Sequence, residues 1–153
     1  MKKILSAIIA AALILSLTAC AFAATGLGSY TTGKVADGKV SVDTYMCAVT
    51  LDENGKITGV DFDVVQASAA ADADATFEPQ SKRELGDNYG MKGISPIGKE
   101  YYEQMDALEA WCIGKTVEEV VTGSADDADL KAGCTVGIAN HLIVLQEAAA
   151  NAK

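Results

Sequence analysis

Apolar and polar residues alternate in two neighbouring segments in the first half of the chain, residues 40–51 and 56–65. A two-residue period of this kind is typical of strands that bury one face. The Asn-Gly dipeptide at 54–55 separates the two segments and favours a tight turn, so the pair predicts a β-hairpin. The Asp-Gly dipeptide at 37–38 predicts a second turn, and therefore a three-stranded meander that starts near residue 33.

The second half of the chain has apolar residues at the three- and four-residue spacing of helices. Ser95 and Pro96 have the residue types of an N-cap and a first helical position, and Gly114 marks the end of that helix. Thr116 and Glu119 form a capping-box sequence that opens a short helix. A last helix is predicted from about residue 136. The apolar stripes of the first and last helices are Tyr101, Met105, Leu108 and Cys112, and Ile138, Leu142, Leu145 and Ala149.

Strands followed by helices predict an α+β fold, in which helices pack on one face of a small antiparallel sheet, a β-meander or hairpin. A length of 153 residues suits one domain, which we assign to residues 34–153. Residues 20–33 are rich in Gly, Ser and Thr and are interpreted as a tether. Residues 66–80 are rich in Ala and Asp and are interpreted as an exposed acidic loop without a metal site.

The amino terminus has the features of an export signal. Two lysines precede an apolar run at 4–18, so residues 1–19 are predicted to be a signal peptide. The sequence ending at Cys20 resembles a bacterial lipobox, in which Cys20 would be lipidated and become the first residue of the mature protein. Ordinary cleavage before Ala24 is the alternative. The predicted location is therefore extracytoplasmic, with the chain lipid-anchored at the cell membrane or secreted.

The charge balance limits the classes of partner. The chain has 12 basic and 21 acidic residues, a net charge of -9. This balance lacks the electrostatic footprint of a nucleic-acid-binding protein, so nucleic acid is not expected as a partner. Anionic lipid would also repel the chain, so a membrane contact is expected through the acyl anchor.

The cysteines and the single histidine give little support to catalysis. Once Cys20 is set aside, an odd number of cysteines remains, and none belongs to a CxxC motif. Cys47 and Cys112 are interpreted as small buried hydrophobic residues. His141 lies beside the apolar stripe of the last helix, where a structural or surface role is expected. No catalytic residue is predicted.

The most specific segment is the heptapeptide from Asp129 to Thr135, Asp-Leu-Lys-Ala-Gly-Cys-Thr. It resembles the Asp-x-x-Ser-Gly-Ala-Thr signature of extracytoplasmic FMN-binding domains, the family that includes the flavin-carrying subunits of sodium-pumping quinone reductases. The hairpin sequence and the segment 89–92 also resemble small secreted lipoproteins of Gram-positive bacteria related to this domain.

The resemblance implies a function and a set of site residues. It implies that a flavin transferase joins FMN to the Thr135 hydroxyl through a phosphoester, and that the domain exchanges electrons with a membrane redox partner. Asp129 would be the acidic residue of the motif, and Gly133 would allow a close approach of the backbone. Cys134 belongs to the same segment. We expect Thr135 to stand at the start of a helix, whose free N–H groups favour a phosphate.

Three alternatives remain open from the sequence. In the first, Thr135 is the N-cap of the last helix and the chain carries no cofactor. In the second, the chain is a cofactor-free surface lipoprotein that binds a ligand or a protein through residues 81–92 and the open face of the sheet; the same residues could instead be a structured connection. The third is a thiol-based redox protein that uses Cys134, with a pKa lowered by a nearby helix N-terminus.

Overall fold

The computed structural model describes residues 23–70 and 79–153. The predicted signal peptide, Cys20 and residues 71–78 of the predicted acidic loop lie outside these ranges. Three antiparallel strands form one sheet in the order β1-β2-β3, namely β1 (Ala24–Ala36), β2 (Lys39–Leu51) and β3 (Ile57–Ala70). The predicted three-stranded meander is confirmed.

The first turn of the meander has the geometry that its dipeptide predicts, whereas the second is a five-residue connection, residues 52–56, in which Gly55 and not Asn54 has a positive φ. Asp37 and Gly38 have φ values of 53° and 70°, and Gly55 has a φ of 73°. The Asp52 carboxylate accepts hydrogen bonds from the N–H groups of Asn54 (2.9 Å) and Lys56 (2.8 Å). These bonds, chiefly the one from Lys56, lower the pKa of Asp52 and hold the second turn closed.

Both ends of the sheet extend beyond the predicted strands. Residues 24–33 belong to β1 and pair with β2 throughout, so the tether interpretation is wrong for these residues. The start of the meander near residue 33 is wrong for the same reason. Residues 66–70 belong to β3, where an exposed loop was expected. In both segments, pairing with β2 compensates for the weak strand propensity of Gly and Ala.

The helices follow the sheet in the chain. They are α1 (Lys82–Leu85), a 3-10 helix (Gly86–Tyr89), α2 (Tyr101–Cys112), α3 (Val117–Gly123), α4 (Ala128–Gly133) and α5 (Ala139–Ala150). The capping box of α3 is confirmed, since the Thr116 hydroxyl accepts from the Glu119 N–H and the Glu119 carboxylate accepts from the Thr116 N–H. The short helix α4 was not predicted. In the parts of the chain that the structure describes, no helix is both long and apolar enough to span a membrane.

The helix expected from Pro96 begins five residues later, at Tyr101. Its N-cap is Glu100, which forms a capping box with Glu103. The Ser95 side chain accepts instead from the Gln104 side chain (3.1 Å), so a tertiary contact uses the residue predicted to cap the helix. The end at Cys112 and the positive φ of Gly114, 79°, agree with the predicted termination.

The last helix begins at Ala139. Its buried face is shifted toward the residues that precede the predicted stripe by one position, and Leu145 belongs to both sets. Its buried residues are His141, Val144, Leu145 and Ala148. His141 is 1% exposed, and its Nε2 lies 2.9 Å from the hydroxyl of Tyr101. Burial lowers the pKa of His141 to about 4, so the imidazole is neutral at pH 7 and belongs to the core.

The core lies between one face of the sheet and the helices, which confirms the α+β fold. Phe62 and Val64 on β3 and Cys47 on β2 are almost fully buried, as is Cys112 on α2. Burial raises the pKa of both cysteines to about 12, which confirms that they act as small hydrophobic residues.

Residues 81–92 are a structured connection. The guanidinium of Arg83 donates to the Phe62 carbonyl (2.8 Å), and the Glu109 carboxylate accepts from the Phe62 N–H (2.8 Å). Arg83 and Glu109 also bond to each other, so together they satisfy the backbone at the outer edge of β3. Tyr89 and Met91, further along the connection, are half-buried against the core.

Candidate functional site

Thr135 lies in the connection between α4 and α5 and is exposed. It follows Cys134, the C-cap of α4, and precedes Ala139, the first residue of α5, by four positions. The N-cap of α5 is Ile138. The interpretation of Thr135 as a helix cap is therefore wrong, and so is the expectation that its hydroxyl stands at the start of a helix.

A single buried amide holds the backbone and the hydroxyl of Thr135. Oε1 of Gln104 accepts from the Thr135 N–H (2.8 Å), the Thr135 Oγ1–H (3.1 Å) and the Val136 N–H (3.2 Å). Gln104 belongs to α2 and is 1% exposed. Because backbone N–H groups can only donate, the atom facing them must be the oxygen, which fixes the orientation of the amide.

The other side of the Gln104 amide is also bonded. Its Nε2 donates to the Ser95 hydroxyl (3.1 Å) and to the Lys99 carbonyl (3.1 Å). Gln104 therefore connects the Thr135 turn with residues 95–99, which precede α2.

A buried carboxylate holds the start of the segment that leads from the 3-10 helix to α2. Glu100 is 2% exposed, and its two oxygens accept from the N–H groups of Met91 (2.8 Å) and Lys92 (2.9 Å). Neither Glu100 nor Gln104 was predicted as a site residue from the sequence. The available signal was a glutamine at the helical spacing of Tyr101 and Leu108, a polar residue within an apolar stripe.

Two pockets adjoin Thr135 and share both Thr135 and Val136 as lining residues. The larger has a volume of about 280 Å³ and the smaller a volume of about 130 Å³. Lys131 lines the larger pocket and provides a positive charge there. The remaining lining residues of the larger pocket are Ser124, Ala125, Leu130, Cys134 and Ile138, and those of the smaller are Met91, Ile94, Ser95, Pro96 and Gln104.

Gly133 and Asp129, the two other predicted site residues of the heptapeptide in α4, line neither of these pockets. A Cβ at Gly133 would lie 2.8 Å from the Cβ of Ala107, so the glycine allows α4 to pack closely against α2. Asp129 is exposed in the first turn of α4, and the N-cap of that helix is Asp127, whose carboxylate accepts from the Leu130 N–H (2.8 Å). Asp129 is therefore at the end of α4 away from Thr135, and it lines neither of the two pockets beside that residue.

Cys134 does not have the environment of a reactive thiol. It is 6% exposed and lies at the C-terminal end of α4, where its N–H donates to the Leu130 carbonyl (2.7 Å). Burial raises its pKa. The expected lowering of the pKa by a helix N-terminus is therefore wrong.

We expect alkylation of Cys134 by iodoacetamide at pH 7.5 to be slower than that of a free cysteine by about tenfold or more, because the thiolate is the nucleophile. Peptide mass spectrometry after timed quenching measures the rate, and the same reaction in denaturant provides the reference. Equal rates in the folded and denatured protein would contradict the buried position.

A larger groove of about 570 Å³ lies on the face of the sheet opposite the helices. Met46 and Ala48 of β2 contribute to its floor, and Arg83 and Glu147 line it from the two sides of the sheet. Asp61 and Asp63 of β3 also line this groove, so its charge is predominantly negative. Among the described residues, no group of three or more His, Cys, Asp or Glu side chains has the arrangement of a metal site.

Part of the chain is similar to part of a larger redox enzyme. A chlorophenol reductase from Desulfitobacterium hafniense is 39% identical over 90 residues. The alignment covers 48% of this chain and 28% of the reductase, so the chain spans less than a third of that relative. No family model matches the chain, and no solved structure matches it.

Proposed function

We propose that this protein is an electron-transfer domain that carries FMN, attached through a phosphoester to the hydroxyl of Thr135. The observation that carries the proposal is the exposed Thr135 side chain, held by the buried Gln104 amide and adjoined by two pockets. The site fits a tethered phosphate, since Thr135 is exposed and Lys131 lines the larger pocket. Partial similarity to a reductase supports a redox role.

The cofactor and the protein would have separate roles in this function. Bound FMN would supply one- and two-electron redox chemistry, and the protein would supply the attachment point and the surroundings. A flavin transferase would be the partner for attachment, and a membrane redox protein would be the partner for electron exchange. Lipidation at Cys20 would keep the carrier at the extracytoplasmic face of the membrane, close to such a partner.

A peptide-mapping experiment tests the proposal on the wild-type protein. After co-expression with a flavin transferase, trypsin cleavage at Lys131 releases residues 132–153, in which Thr135 is the one hydroxyl-bearing residue. We expect flavin fluorescence and a mass increase of one FMN less water on this peptide. Protein expressed without the transferase is the control and should have the unmodified mass.

Two results would contradict the proposal. A transferase that is active on a known carrier but leaves this protein unmodified would refute covalent attachment. A modified peptide other than 132–153 would retain the flavin but exclude Thr135 as its site.

A second candidate function is ligand binding by a cofactor-free lipoprotein. The groove of about 570 Å³ on the open face of the sheet favours it, because this is a large concave surface with charged residues on its sides. Attachment of flavin to the wild-type protein in the co-expression experiment favours the flavin carrier. An unmodified protein whose Asp61→Asn variant loses binding to a small cationic compound found by screening favours this second function.

A further inference from the structure

We propose that Gln104 positions the hydroxyl of Thr135 for flavin attachment, an inference that rests on the proposed function. Gln104 lies 31 residues before Thr135 in the chain and on another helix, yet it accepts the hydroxyl hydrogen bond at 3.1 Å. It would act through Thr135 and not on the flavin donor, so we describe it as a positioning residue.

The bonds of Gln104 determine the direction of the hydroxyl proton. Oε1 carries no hydrogen, so in this contact Thr135 must be the donor. The Oγ1–H bond is then directed inward to the buried amide. The lone pairs of Oγ1 are left on the remaining sides of an exposed residue, where an incoming phosphorus atom can meet them.

The same amide fixes the position of the oxygen as well as its direction. Oε1 also binds the N–H groups of Thr135 and Val136, so the backbone on both sides of the Thr135 Cα is held. Nε2 is held by Ser95 and Lys99, which prevents rotation of the amide. With Gln104 1% exposed, water does not compete effectively for these bonds.

The attachment step defines what Gln104 cannot do. Thr135 Oγ1 would attack the FMN phosphorus of a flavin dinucleotide, so that the Oγ1–P bond forms and the pyrophosphate P–O bond breaks. The nucleoside monophosphate leaves; the hydroxyl turns about the Cβ–Oγ1 bond, so that its proton leaves Gln104 and goes to a base, while the two backbone N–H bonds to Gln104 continue to hold the residue. A neutral amide is not basic enough to accept that proton, so the base and the activation of the leaving group must come from the transferase.

Two variants of Gln104 test the inference with the purified transferase and flavin adenine dinucleotide. Gln104→Met has a similar length but is only a weak hydrogen-bond acceptor, and Gln104→Asn keeps the amide but withdraws it by one methylene. We expect kcat for attachment to fall by about tenfold or more in both, because a displacement of about 1 Å can cost a hundredfold. The KM for the carrier protein should change by less than about threefold, since the exposed surface is unchanged.

A matched control separates positioning from stability. Ile57→Ala removes a fully buried side chain in β3, a site outside the Thr135 turn, and should lower the Tm at least as much as the Gln104 variants. We expect its kcat for attachment to stay within about twofold of the wild type. Hydrogen exchange at the Thr135 and Val136 amides should accelerate in the Gln104 variants and not in the control.

The outcomes distinguish this inference from the function on which it rests. Efficient modification of the wild type and of both folded Gln104 variants would overturn the inference and leave the flavin carrier intact. A kcat that falls equally in the Ile57→Ala control would also overturn it. Failure of the wild type to be modified would overturn both. If Gln104→Met does not fold, the kcat of Gln104→Asn and its amide exchange decide the question.

Discussion

Replacing Thr135 with alanine is expected to abolish covalent flavin attachment, and replacing it with serine is expected to preserve it. Alanine has no oxygen nucleophile, whereas serine retains Oγ and loses only a methyl group. The fold should survive both changes because Gln104 continues to accept from the N–H groups of residues 135 and 136. Intact mass and in-gel flavin fluorescence after co-expression with the transferase measure the result.

Thr122→Ala is the matched control for this experiment. Thr122 is also exposed, and its hydroxyl donates within α3 to the Glu118 carbonyl (2.8 Å), so its loss should leave the flavin content at the wild-type level. Flavin retained in Thr135→Ala would exclude Thr135 as the attachment residue. Flavin lost in Thr135→Ser, with a wild-type Tm, would show that the transferase requires the methyl group.

Alanine at Gly26 or Gly28 is expected to cause a large loss of stability. A Cβ at Gly26 would lie 1.9 Å from the Ala148 carbonyl oxygen, and a Cβ at Gly28 would lie 2.4 Å from the Val144 carbonyl oxygen. Both contacts are with the backbone of α5, which cannot move aside as a flexible side chain could. We expect the free energy of unfolding to fall by about 3 kcal/mol or more, with a Tm lower by roughly 10 °C.

Gly33→Ala in the same strand is the control for these two variants. Its Cβ would lie 3.8 Å from the Ser41 carbonyl oxygen, an ordinary contact, so the free energy of unfolding should change by less than about 0.5 kcal/mol. Urea denaturation followed by circular dichroism measures all three variants. Equal stabilities of Gly28→Ala and Gly33→Ala would contradict the packing of α5 on β1.

Locally encoded elements could be predicted from the sequence. The turn at Gly55 depends on residues adjacent in the chain, and so does the capping box of Thr116 and Glu119. The hairpin followed because alternating apolar residues need a common buried face. Each of these signals lies within one continuous segment of the chain, so no knowledge of distant contacts was required.

Residues 24–33 of β1 and the start of α2 could not be predicted in this way. Taken with their neighbours in the chain, Gly26 and Gly28 indicate a flexible segment. In the structure, however, their small size allows the backbone of α5 to lie against the strand. Ser95 has the residue type of an N-cap, yet it bonds to Gln104 on the following helix. In both cases a contact with another element outweighs the local preference.

For this protein, the sequence by itself determined that a strand meander comes first and helices follow, and it singled out the segment that contains Thr135. The tertiary structure alone decided the conformation and the surroundings of that segment. Cys134 is buried, Thr135 lies outside the helices, and Gln104 accepts the hydrogen bond of the Thr135 hydroxyl. The physical reason is the range of the interactions. Turns and caps form between neighbours in the chain, whereas the burial of a thiol and the bonding of a buried amide depend on segments that only folding brings together.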